Sequence, residues 1–272
     1  MIVDIMQSKS IKQIIDDMPN VPTMPNIVAE ALNIIGNPKS NINQLSGIIS
    51  KDLSLTSQIL KLVNSSYYGF PNQITTINKA MALLGFNQVK SLILSVALKS
   101  IMVTPSGKNL WVHSIRCAIA CQNIANSLGK GHTDEAFVMG LLHDIGKTVL
   151  ESYNKQAYNE IIRLTELGAD KLAAEKMMFG FTHTEIGEEL VLRWKLPAII
   201  ADSVRYHHQP QEAQDITNVG VVYYADSITQ SQLKYPIIDP DIAELLDFDV
   251  PNPVEFREQV FKNSESIISV LS

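Results

Sequence analysis

The sequence holds only two cysteines in 272 residues, Cys117 and Cys121. Two thiols four residues apart on one helix do not make a disulfide framework. The expectation is a reducing cytoplasm, with both side chains buried as small apolar groups. A positive charge excess is also missing. There are 22 Lys and Arg against 28 Asp and Glu, a net charge of −6. An extended nucleic-acid face needs clustered Lys and Arg to neutralise phosphates, so none is expected, although a local basic pocket is compatible with this balance. No apolar stretch is long enough to span a bilayer: the most apolar run, residues 91–103, is short and contains Lys99. Residues 1–10 lack the basic start and long apolar core of a signal peptide. Strand-type alternation, internal repeats and low-complexity tracts are missing as well.

What is present is a globular composition, 46% apolar and 18% charged. Apolar residues recur at helical spacing and are punctuated by Pro and Gly, which predicts an all-α fold. Helices are expected at 9–18, 26–35, 40–50, 54–64, 76–84 and 87–102. Tyr67, Tyr68 and Phe70 form an aromatic turn before Pro71, either a contact surface or core packing. Thr104, Pro105, Ser106 and Gly107 then divide two helical lobes, residues 1–104 and 105–272. The second lobe continues with helices at 109–128, from Asp134 towards His143, and at 147–167 and 170–179. Thr182 and Glu185 have the spacing of a capping box, which starts a helix at His183 running to 194. Pro197 opens a helix reaching His207 and His208. A helix at 216–231 precedes an acidic, Pro-containing loop at about 232–251, a candidate cover for the site below. A last helix starts at Pro253.

The chain is organised around Gly140-Leu-Leu-His143-Asp144-Ile-Gly-Lys147. An imidazole and a carboxylate stand side by side among aliphatic residues. A carboxylate there loses its hydration unless something pairs with it, and a divalent metal is one such partner. For an isolated pair, a hydrogen-bonded helix end would serve equally well. The remaining histidines bear on that choice. His113 lies three after Leu110 and four before Cys117, on an apolar helical side. Asp226 follows Val219, Val222 and Tyr223 by seven, four and three residues, so its charge falls on a buried stripe. It needs a metal or a salt bridge, for which Lys147 and Arg116 are candidates. His207 and His208 diverge by about 100° on a helix, enough to reach two different ions. His183 adds a nitrogen, and His132, in a Gly-flanked loop, is left out. Five imidazoles and two carboxylates exceed one octahedral ion. They suit two ions sharing Asp144 as a bridge. Thiolate-free ligation admits Fe, Mn, Zn, Co or Ni. Lys147, one turn after His143, either contacts a phosphate or is an ordinary exposed lysine.

His113, the His143–Asp144 pair and Asp226 resemble, in order, the metal-binding pattern of the HD phosphohydrolase superfamily. With His183, His207 and His208 the set resembles the two-metal branch that includes HD-GYP cyclic-di-GMP phosphodiesterases. Residues 19–98 resemble the HDOD domain, in the blocks Pro22-Thr-Met-Pro25, Ile49-Ser-Lys-Asp-Leu-Ser-Leu55, Leu62-Val-Asn-Ser-Ser-Tyr-Tyr-Gly69 and Ala80-Met-Ala-Leu-Leu-Gly85. The resemblance implies a bacterial, all-helical signal-transduction module with a protein partner and a nucleotide as candidate ligand. The alternative it implies is a metal-dependent phosphohydrolase acting on a nucleotide or cyclic dinucleotide. In that case Asp144 and Lys147 are the candidate catalytic groups. Many HDOD proteins have lost HD ligands; this chain keeps all seven. It lacks a Gly-Tyr-Pro after His208, where Gln209-Pro210-Gln211 stands, and it carries Asn109 where some HD-GYP sites offer a carboxylate.

Overall fold

The architecture is that of a computed structural model, which describes residues 10–18, 21–35, 41–102, 108–128, 133–230, 238–245 and 252–271. Every regular element among the described residues is helical. The amino-terminal half holds α1 (Ile11–Asp17), α2 (Asn26–Ile35), α3 (Ile42–Ile49), α4 (Leu53–Val63), α5 (Ile77–Leu84) and α6 (Phe86–Met102). Short polar side chains start these helices by accepting backbone N–H groups that have no partner inside the helix. Ser10 and Gln13 form a reciprocal capping box for α1, and Asn41 and Gln44 do so for α3. Asp52 caps α4 and Thr76 caps α5.

The carboxy-terminal half holds α7 (Lys108–Leu128), α8 (Thr133–Leu142), α9 (Ile145–Tyr153), α10 (Lys155–Glu166), α11 (Lys171–Phe179), α12 (His183–Arg193) and α13 (Ala198–Tyr206). A 3₁₀ turn at Pro210–Glu212 follows, then α14 (Ile216–Thr229), α15 (Pro240–Leu245) and α16 (Pro253–Leu271). The single helix expected over 147–167 is two. Asn154 leaves the helical conformation, and its side chain accepts the N–H of Ala157, so one helix ends and the next begins at this residue. Its short amide competes with the backbone for hydrogen bonds, which a periodicity of apolar residues does not register. The Thr182–Glu185 capping box forms as the spacing predicts.

The long helix α7 forms the middle of the core and packs against α8, α14 and α16. It buries Trp111, Ile115, Ala118 and Ile119 together with both cysteines, which are free thiols. Contacts between the halves run both ways. α6 lies against α7, α8 and α9, α16 reaches back to α4, and α1 packs on α12. Arg193 on α12 donates to Asp16 Oδ1 at 2.7 Å and to Lys12 O at 2.9 Å. Tyr67, Tyr68 and Phe70 are partly buried against the core, with the rings of Tyr68 and Phe70 stacked, so the core-packing reading describes them. The boundary expected at 104–107, His132 and most of the 232–251 loop lie outside the described residues. No helix among the described residues is long and apolar enough to cross a membrane.

Candidate metal centre

Two residues, His143 and Asp144, form the whole turn between α8 and α9. His143 N–H still bonds Met139 O at 3.0 Å, and Lys147 N–H bonds Asp144 O at 3.0 Å. Asp144 stands at the cap position of α9, yet its side chain caps nothing. The carboxylate is therefore not consumed by the helix end. The turn is pressed against the start of α12. A Cβ on Gly146 would lie 1.9 Å from His183 O, and one on Gly187 would lie 2.8 Å from Val204 Cγ1. Glycine at both positions lets the backbones of α9 and α12 touch.

This packing converges all seven expected residues. The two oxygens of Asp144, a residue 1% exposed, face two different clusters. Oδ2 lies 3.6 Å from His113 Nε2 and 3.3 Å from His143 Nε2, and Asp226 Oδ1 closes that group at 3.1 Å from His113 and 3.7 Å from His143. Oδ1 lies 3.3 Å from His183 Nε2 and 3.7 Å from His207 Nε2, and His208 Nε2 is 3.3 Å from that of His183. Asp226 thus pairs with His113 and His143 rather than with the candidate partners Lys147 and Arg116. The Arg116 guanidinium lies over the Phe261 ring at 4.0 Å. Lys147 is not exposed: it is buried and ion-paired with Asp144 Oδ2.

The imidazoles are set for ligation by their outer nitrogens. A carbonyl can only accept, so His143 Nδ1–H donates to Gly140 O at 2.8 Å and His207 Nδ1–H to Val204 O at 3.0 Å. His183 Nδ1–H donates to Glu175 Oε2 at 2.7 Å, and the same oxygen accepts the His183 backbone N–H at 2.7 Å. Nδ1 held in this way turns Nε2 inward, the arrangement of a metal-bound histidine with its supporting partner. Asp144 Oδ1 and His207 Nε2 are both buried without a hydrogen-bond partner among the described residues. An anionic oxygen and a lone pair facing each other in the interior need a cation between them, so the residues fit a metal ion.

On the Oδ1 side the charges point the same way. Burial pushes the His207 pKa down to about 4, and burial together with His207 and His183 pushes His208 well below the usual range. Both are neutral, ligand-ready imidazoles at neutral pH. Burial opposes charge on His143 too, but the Asp144 carboxylate overrides it and holds that ring well above its ordinary pKa. Burial likewise opposes charge on Asp144 and Asp226. His143 and Lys147 override it for Asp144, and hydrogen bonds from His113 and His143 override it for Asp226, so both stay ionised. Burial raises the Cys117 thiol well above its usual pKa, so no thiolate takes part.

Two residues at the site lie outside the sequence expectation. Glu175, fully buried on α11, orients His183. Lys171, one turn earlier on α11, is pushed down to about 8 by burial and by the neighbouring Lys147. Lys171, Glu175 and Phe179 share one helical stripe, the same signal of charge on an apolar face that marked Asp226.

A profile of the HDOD domain matches residues 21–210. The chain belongs to the HDOD domain family. An uncharacterized protein of Treponema pallidum is 28% identical over 216 residues, 76% of this chain and 41% of that protein. Ribonuclease Y of Mycoplasma mycoides is 28% identical over 144 residues, 52% of this chain and 28% of that protein. This HDOD chain therefore spans less than half the length of these relatives. Among solved structures, a candidate phosphohydrolase of Shewanella amazonensis superposes with a TM-score of 0.80 at 24% identity. It covers 98% of this chain and 100% of its own. An HDOD protein of unknown function from Geobacter sulfurreducens gives 0.74 at 23%, covering 96% and 94%. Likeness at these identities speaks to the HDOD fold alone.

Proposed function

We propose that the chain is a signal-transduction module of the HDOD type built around a dinuclear divalent-metal centre. One observation carries the reading: the two oxygens of a single buried carboxylate, Asp144, face two adjoining histidine clusters. His113, His143, Asp144 and Asp226 would hold one ion, and Asp144, His183, His207 and His208 the other, a bridge-sharing arrangement. Nitrogen and oxygen donors without sulfur suit Fe, Mn, Zn, Co or Ni. The HDOD helices before residue 103 would present the surface read by a protein partner. The test is elemental analysis of untagged protein, with His143→Ala and Asp226→Ala as controls. About two equivalents of transition metal, lost in both variants, are expected. A well-folded wild type that takes up no ion from any of the five metals would overturn the reading.

A second reading, phosphoester hydrolysis, is favoured by the two lysines beside the bridge. Lys147 contacts Asp144, and Lys171 lies next to Lys147. Two bound ions would supply Lewis acidity and activate water for attack on phosphorus. The chain's own part is to hold the phosphoryl oxygens through Lys147 and Lys171 and to keep water away from the buried imidazoles. The likeness to ribonuclease Y points towards phosphodiesters, with a nucleotide as the substrate class. The Gln209–Pro210 turn in place of Gly-Tyr-Pro argues against cyclic-di-GMP in particular. Asp144→Ala is expected to remove both metal and turnover, and Lys147→Met to remove turnover with metal retained. Hydrolysis surviving Asp144→Ala would belong to a contaminant and would end this reading.

A further inference from the structure

A cavity of about 950 Å³ lies away from the candidate metal centre, between α1, the start of α2, α6 and the loop joining α12 to α13. Its volume is within the range of small-molecule sites. Met18, Val21, Met24 and Leu196 supply apolar walls and Trp194 an indole. The Trp194 Nε1–H donates to Pro22 O at 3.2 Å, which fixes the orientation of the ring. Arg193 also borders the cavity, but its guanidinium is already tied to Glu189, Asp16 and the Lys12 carbonyl. It braces the wall and brings no spare charge.

The charge available to a ligand comes from two lysines. The Lys90 side chain is 8% exposed, and its polar contact among the described residues is Glu135 Oε1 at 3.5 Å. That distance is at the outer limit of a hydrogen bond, and an ammonium has three donors. Lys195 is the second. The end of α12 is a Schellman turn: Leu196 N–H reaches Val191 O at 3.3 Å and Lys195 N–H reaches Leu192 O at 2.9 Å. The residue at its left-handed position is normally glycine. Here it is lysine with φ +56°, the one non-glycine residue with positive φ among the described residues. A side chain kept where glycine fits best, at the rim of a cavity, indicates a task for that side chain.

We infer that this cavity is a binding site for an aromatic organic anion. Its rings lie on Trp194 between the methionines, and its one or two negative charges are met by Lys90 and Lys195.

The probe is 8-anilinonaphthalene-1-sulfonate, titrated into the native 272-residue chain and followed by its own fluorescence. Quenching of Trp194 in a Trp111→Phe background provides the second readout. One saturable site is expected, with affinity about tenfold weaker in Lys90→Met and in Lys195→Gly. Lys195→Gly suits the backbone at that turn, so weaker binding in it cannot come from misfolding. N-phenyl-1-naphthylamine, the same ring system without the sulfonate, is expected to bind at least about tenfold more weakly than the sulfonate. Absence of a saturable site would overturn the inference. So would equal affinity of wild type and both lysine variants, or equal affinity for the two probes.

Discussion

The two faces of Asp144 are alike in donor count and unlike in how they are satisfied. On the Oδ2 face, His143 and Lys147 offset the charges of Asp144 and Asp226, and each carboxylate has cationic or hydrogen-bonding neighbours. On the Oδ1 face burial keeps His207 and His208 neutral, and Asp144 Oδ1 and His207 Nε2 have no partner among the described residues. One face therefore holds together through internal ion pairs before any metal arrives. The other carries an unmet demand for a cation. In the proposed dinuclear centre, a shared bridge would not make the two sites equivalent, because the two faces differ before any metal binds.

Both faces depend on the α9–α12 crossing, so the largest expected effect is Gly146→Ala. The added methyl would fall 1.9 Å from His183 O, and destabilisation beyond about 3 kcal/mol is expected from urea unfolding. A near-neutral result would mean that the crossing yields and that the geometry of both faces is soft. Next comes a pair of variants that separates the faces. Asp226→Asn removes a buried charge from a paired group, and loss of about 3 kcal/mol is expected in metal-free protein. His208→Leu removes a neutral ring from the unsatisfied face, and a change within about 1 kcal/mol is expected, with metal lost. Equal destabilisation by the two would abolish the contrast.

Glu175→Gln sharpens it further. The amide keeps the shape but weakens the hold on His183 Nδ1, so metal affinity of the Oδ1 face is expected to fall about 10- to 100-fold. The Oδ2 face should keep its ion, as titration calorimetry would reveal in a two-site isotherm. The smallest effect concerns the surface beside this face. Lys176 Nζ lies 3.0 Å from both oxygens of Glu185. Burial opposes the Glu185 charge, but Lys176 and the Thr182 N–H override it and hold its pKa below the ordinary value. A lowered carboxyl pKa stabilises the fold above the unfolded value and is lost as pH falls through the folded one. Lys176→Met is therefore expected to cost less than about 1 kcal/mol at neutral pH, with the difference fading below about pH 4.3. A difference that grew on acidification would contradict that linkage.

The clustering of the candidate residues was legible where a member breaks a local pattern. Asp226 is a charge on an apolar stripe, and His143 and Asp144 stand among aliphatics. Lys147 carried the signal without its resolution: periodicity does not say whether a lysine ends in solvent or on a neighbouring carboxylate. Glu175 and Lys171 carried the same signal of charge on an apolar stripe, but their partners, His183 and Lys147, lie on other helices and are not encoded by spacing within α11. The cavity near Trp194 was invisible for the same reason. Its walls come from Met18 and Leu196, far apart in the chain. The break at Asn154 was missed because one side-chain hydrogen bond outweighed a continuing apolar rhythm.

The contact of Gly146 with the His183 carbonyl has one more consequence. Clusters positioned by packed side chains flex, swap rotamers and drift with substitution. Here the span from Asp144 to His183 is gauged by main chain resting on main chain, two residues from one and at the carbonyl of the other. Such a stop has almost no tolerance to adjust. Repacking elsewhere in the interior can alter how firmly α9 and α12 are clamped, but not how far apart they sit.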